Sequence, residues 1–95
     1  MSILRAEIQI DCEDFAENLK FFTEDVGFSI ELIFPADSPR SAILSGYGLR
    51  IRLEKSKNDR PILINLIQDK STPPDDSVNI APNGSQITFV NDELE

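Results

Sequence analysis

The chain has 95 residues, nine Lys and Arg against 17 Asp and Glu for a net charge of −8, one cysteine and no histidine. So few basic residues, spread along the whole length, argue against nucleic acid and anionic membrane surfaces as partners. The single cysteine excludes an intrachain disulfide, and the lack of histidine excludes Ser-His-Asp and Cys-His catalysis and any His-ligated metal site; it disfavours zinc and non-haem iron and leaves an all-oxygen magnesium, calcium or manganese site open. Length and a 40% hydrophobic content fit one small globular domain with a modest core. No run is apolar enough to span a bilayer and no stretch resembles a signal peptide, so a cytoplasmic location is expected.

Residues 4–12 (LRAEIQIDC) alternate Ala6, Ile8, Ile10 and Cys12 with Glu7, Gln9 and Asp11, the pattern of a strand with one buried face. Cys12 reads as a buried, structural thiol. Asp14 and Glu17 have capping-box spacing, and Phe15, Leu19, Phe22 and Val26 form a helical apolar stripe that Gly27 closes. A helix is therefore expected over 15–25. Further strands are expected at 29–34 (SIELIF), 41–44 and 49–55 (LRIRLEK). Pro35 and Pro39 mark a loop, and SGYG a turn. Residues 61–67 (PILINLI) are almost continuously apolar and read as a strand inside a sheet. The stretch 69–77, with Pro73 and Pro74, reads as irregular, and Gly84 suits a turn in PNGS. A last strand is expected at 86–90, followed by a mobile tail over 91–95. The order is strand, helix, then five strands. It predicts an α+β fold with one helix on one face of a mostly antiparallel sheet.

The run DFAENLKFFTEDVGF, with Asp14, the pair Phe21-Phe22 and the closing Gly27-Phe28, resembles the helix signature of the vicinal oxygen chelate (glyoxalase/bleomycin-resistance/dioxygenase) superfamily. APNGSQITF at 81–89 is similar to that family's turn-and-strand motif. The resemblance implies a single glyoxalase-like domain: one complete βαβββ module at about 4–55, and at about 61–90 a second half reduced to two strands without its helix. In the family two modules form a cup around the active site. IDCEDF, FPADSPR, LSGYGLRIRLE and APNGSQI also resemble a module found ahead of a cupin domain in some bacterial proteins.

The family's metal ligands do not carry over. Its first-strand ligand position falls on Glu7, its last-strand Glu on Thr88, and the next module's His near Ile62. Arg50 and Arg52 would repel a divalent cation. No metal and no cofactor are expected. Glu7, Gln9, Asp11, Arg50, Arg52 and Glu54 should share one face, with Thr88 as a further candidate. That face reads either as the floor of a site for a small anionic or polar ligand or as cross-strand ion pairs of little individual worth. Asn65 reads as a ligand contact or a backbone partner, and Tyr47 as a residue of the cup mouth or a surface aromatic.

Three functions follow. The leading one is a metal-independent small-molecule-binding homodimer. The alternative is an accessory domain that partners a separate cupin-type protein. Third is a metal-free lyase, isomerase or hydrolase with Glu7 or Glu54 as general base, which the neighbouring arginines oppose by lowering a carboxyl pKa.

Overall fold

The computed structural model describes residues 1–73 and 77–92. Among them one helix and seven strands follow in the order β1 (Ile8–Cys12), α1 (Phe15–Lys20), β2 (Ser29–Phe34), β3 (Ser41–Gly46), β4 (Leu49–Lys55), β5 (Leu63–Gln68), β6 (Val78–Ile80) and β7 (Gln86–Asn91). The α+β class and the initial βαβββ order are as expected, but the strands form two sheets. The first runs β1-β4-β3-β2 and the second β5-β7-β6.

The second sheet repeats part of the first. β1 lies parallel to β4, which lies antiparallel to β3; likewise β5 lies parallel to β7, which lies antiparallel to β6. The counterparts of α1 and β2 are missing from this second half among the described residues. It has three strands where two were expected. The short β6 follows a proline-rich stretch, and its three residues gave too brief an alternation to register.

In the first sheet Ile10 and Cys12 of β1, Ala42 and Leu44 of β3, and Ile51 and Leu53 of β4 face the helix and are buried with Phe15, Phe21, Phe22 and Phe28. Ile64 and Ile87 of the second sheet join the same core. The molecule is 20 Å across its shortest axis, about one sheet layer plus one helix layer at roughly 10 Å each. The two sheets therefore lie side by side in one layer with the helix over the first, and their opposite faces are left open.

Several boundaries differ from expectation. β1 starts at Ile8 rather than 4, because only Ile10 and Cys12 reach the helix; Ile8 is 44% exposed. β5 is an edge strand rather than an interior one, with Leu63 and Ile67 exposed. β7 runs through Asn91, into the expected tail, while 74–76 of the irregular stretch and 93–95 of the tail lie outside the described residues.

Asp14 caps α1 by accepting from the Glu17 amide at 3.1 Å. Beyond Lys20 the helix continues over Phe21–Val26 in wider π-type turns. The Thr23 hydroxyl donates to the Leu19 carbonyl at 2.8 Å, occupying the acceptor that an α-helical amide at Thr23 would use. The last turn closes five residues back, from the Gly27 amide to the Phe22 carbonyl at 3.2 Å. Gly27 has φ 102°, and a Cβ there would meet the Tyr47 hydroxyl at 2.7 Å. That hydroxyl donates to the Val26 carbonyl at 2.6 Å.

A buried polar bridge joins the two halves. Asn18, fully buried on α1, donates through Nδ2 to the Asp14 carbonyl at 2.7 Å, and its Oδ1 accepts from the Asn83 amide at 3.1 Å. Asn83 in turn donates through Nδ2 to the Asp11 carbonyl of β1 at 3.2 Å, and its Oδ1 accepts from the Ser85 amide at 2.9 Å. The Ser85 hydroxyl accepts from the Ile62 amide at 3.0 Å. Gly84, at φ 91°, turns the chain so that these groups converge.

Two outcomes follow. Asn18→Ala leaves the Asn83 amide buried and unpaired, and should cost about 1–3 kcal/mol in urea unfolding; a loss below about 0.5 kcal/mol would show the bridge to be dispensable. Burial, then the nearby acids Asp59, Asp14 and Asp11, pushes the Cys12 thiol from 9.0 up to about 12. The unfolded chain therefore releases that proton first. Stability should be unaffected by Cys12 below pH 9.0 and fall as pH rises from there toward 12. A Cys12→Ala variant should lack this component of the alkaline decline.

Candidate functional site

The parallel register pairs Gln9 with Arg52 and Asp11 with Glu54. Glu7, Gln9 and Asp11 therefore share the open face of the first sheet with Arg50, Arg52 and Glu54, as the alternation implies. On β3, Ser41 stands opposite Glu54 and Ser45 opposite Arg50. Six of the seven candidates thus lie along one ladder. Thr88 does not: it lies on β7 in the second sheet, across from Asn65, and its hydroxyl donates to Asn65 Oδ1 at 2.5 Å.

Both guanidiniums on this face hold carboxylates, though Arg50 Nε is buried without a partner. Arg52 donates through Nε to Glu7 and lies 3.6 Å from Glu54 through Nη1. Its guanidinium also lies 5.8 Å from the centre of the Phe34 ring. Glu54 Oε1 accepts from the Ser41 hydroxyl at 2.7 Å. Arg50 donates to both oxygens of Glu31 at 3.0 Å, a partner placed there by the irregularity in β2 between Ile30 and Leu32. Gln9 donates to Asp11 at 2.9 Å, and Arg60 reaches Asp11 at 3.7 Å. The hydrogen bond from Arg52 holds the Glu7 carboxyl below its ordinary value. The Ser45 hydroxyl first, and Arg50 second, do the same for Glu31.

This arrangement limits the chemistry. Glu7 is held ionised by a cation, the opposite of what a carboxylate general base at neutral pH requires. The donors also misfit a divalent metal. Glu7 is bound to Arg52, Thr88 is bound to Asn65, a guanidinium stands between the acids, and no three metal-ligating side chains gather among the described residues. A free anion would have to displace a carboxylate from Arg52, and at Arg50 the unpartnered donor, Nε, is buried.

Sequence reasoning missed the open face of the second sheet. Leu63 and Ile67 of β5, Val90 of β7, and Val78 and Ile80 of β6 all point away from the core and are exposed, with the Asn65–Thr88 pair among them. The alternation of 63, 65 and 67 against 64 and 66 was hidden because both sets are apolar apart from Asn65. A separate cleft of about 640 Å³ lies on the helix side of this sheet. Tyr47 lines that cleft and closes the end of the helix.

Solved structures share this fold. An antibiotic-binding protein, TnmS3, from Streptomyces sp. CB03234 superposes with a TM-score of 0.68 at 15% identity, over 96% of this chain and 98% of that one. The bleomycin-binding protein of bleomycin-producing Streptomyces verticillus, complexed with copper(II)-bleomycin, gives 0.62 at 14% identity over 98% and 99%. A lactoylglutathione lyase from Agrobacterium tumefaciens gives 0.67 at 9% identity over 93% and 92%. No protein-family model and no curated protein sequence matches the chain. At these identities the likeness is one of fold, and the fold is that of the glyoxalase/bleomycin-resistance proteins.

Since both arginines are neutralised from within, inorganic phosphate should leave the Arg50 and Arg52 Nε–H resonances unmoved at millimolar concentration. A titration saturating below about 1 mM would overturn this account of the face.

Proposed function

We propose that the chain is a metal-independent small-molecule-binding module of the glyoxalase/bleomycin-resistance type, acting as a homodimer in which a second copy closes the open side of the sheets. The observation that carries this reading is the open face of the second sheet. Leu63, Ile67, Val78, Ile80 and Val90 form an apolar surface beside a polar, internally paired one. Apolar side chains so grouped on a small protein mark a surface that something covers. An apolar floor with a few fixed polar groups suits a ligand with an apolar body.

Two proteins that share the fold bind antibiotics, and this supports the reading. The engaged arginines favour an uncharged polar group on the ligand over an anionic one. Ligand hydroxyls or amides would meet the Asn65–Thr88 pair and the outer oxygens of Glu7, Glu31 and Glu54. The low carboxyl pKa of Glu7 makes binding the better reading than base catalysis.

Sedimentation velocity at about 10 µM should show a dimer, and the neutral probe N-phenyl-1-naphthylamine should gain fluorescence on binding with micromolar affinity. Ile80→Glu should shift the protein to monomer and lower probe affinity by about tenfold or more, since it places a charge on the apolar floor. A wild-type monomer, or probe binding indifferent to Ile80→Glu, would sink the proposal. A monomer would instead favour an accessory domain docked on a separate protein, the cupin-type partner included.

A further inference from the structure

We propose a second site: the cleft between the end of the helix and the second sheet binds a small apolar cation, an aromatic or alicyclic body carrying a protonated amine. It lies on the helix side of the sheets, apart from the open face argued above, although edge strand β5 contributes to both.

The cleft exists because the second half repeats the strands of the first without its helix. In the first sheet α1 covers the face that bears Ile10, Cys12, Ile51 and Leu53. The matching face of the second sheet bears Ile64 and Leu66 on β5 and Ile87 and Phe89 on β7. Ile64 and Ile87 are buried under the common core, but Leu66 and Phe89 are only partly covered and form one wall of the cleft. The opposite wall is Val26, Phe28, Tyr47 and Leu49. A volume of about 640 Å³ is ample for a ligand of one to three rings.

The polar groups in this cleft select the ligand. Gln68 Oε1 is buried and accepts no hydrogen bond among the described residues. A turn of the Gln68 side chain toward the cleft would let a ligand donor recover the free energy that this empty, buried acceptor costs. Asp25 adds a carboxylate to the lining, in no ion pair among the described residues. The lining contains neither Lys nor Arg. The Tyr47 hydroxyl is turned onto the Val26 carbonyl, and its ring meets Phe28 edge-on with centroids 5.5 Å apart. That leaves aromatic surface for an apolar body or a cation. An amide acceptor, a carboxylate, aromatic walls and no basic residue are complementary to an ammonium on an apolar frame. A chain carrying −8 overall adds a field of the same sign.

The test compares two probes of one shape and opposite charge, 2-naphthylmethylamine and 2-naphthylacetate, titrated at neutral pH into uniformly 15N-labelled full-length protein. The amine should move the amides of Val26, Phe28, Gly48 and Leu66 and bind at least about tenfold tighter than the acetate. Gln68→Leu should weaken the amine about three- to tenfold. Asp25→Asn, at an exposed position that does not threaten folding, should narrow the gap between the probes. Equal affinity for the two, no shift at millimolar amine, or a gap untouched by Asp25→Asn would overturn the proposal. So would shifts confined to Val78, Ile80 and Val90, which would place the probe on the open face and leave that reading standing. Loss of the dimer alone, with the amine still held at Val26 and Leu66, would sink the earlier reading and uphold this one.

Discussion

The fold depends on a hydrogen-bonded chain of buried amides that runs from Asp14 through Asn18 and Asn83 to Ser85. Two sheets of four and three strands, not joined by a ladder, need something directional to fix one against the other. Hydrophobic burial alone is non-directional and tolerates sliding. The shared apolar core supplies the attraction, and the Asn18–Asn83 bridge fixes its geometry. Asn83 reaches the helix through its backbone amide and the Asp11 carbonyl of β1 through its side chain, so one residue ties the second half to two elements of the first. With every polar atom in this chain paired, its burial costs little, and misplacing any member would leave several groups unsatisfied.

Given that alignment, the two open faces are set by strand period alone. The first sheet turns paired charges outward and the second turns aliphatic side chains outward. The arginines of the first sheet resemble an anion site in sequence, yet each has a carboxylate partner within the chain, supplied from just ahead of β1, from β2 or from β4. The half-repeat makes the other consequence: strand order and sense are kept in the second half while its covering helix is absent. One side of that sheet becomes a cleft, and the other a bare surface.

Much of this was legible from residue order because the strongest signals are periodic. Glu7, Gln9 and Asp11 face the same way as Arg50, Arg52 and Glu54 simply because both strands alternate and their register is parallel. The helix was legible from Asp14, its stripe and Gly27, though not its widening, which depends on where one Thr23 hydroxyl turns. Glu31 escaped notice because only an irregularity in β2 carries it to Arg50. The second sheet was harder. PILINLI has no contrast between its faces, so an edge strand reads as an interior one, and VNI is too short to announce itself. Thr88 was selected by family position, and its partner Asn65 emerges only from the register of β5 and β7. The cleft was invisible to residue order, since its walls come from the helix end, the β3–β4 turn and three strands.

The open apolar face of the second sheet has a colloidal consequence. Leu63, Ile67, Val78, Ile80 and Val90 leave apolar side chains bare on one face, a surface on which copies of the chain can gather. What limits assembly beyond the dimer is long-range repulsion from the large negative charge. That repulsion reaches about 10 Å at 0.1 M salt and about 3 Å at 1 M. Solubility of this protein is therefore a property of its solvent as much as of its fold. Brine should bring it out of solution through that apolar face, at ionic strengths that leave the buried amide chain untouched.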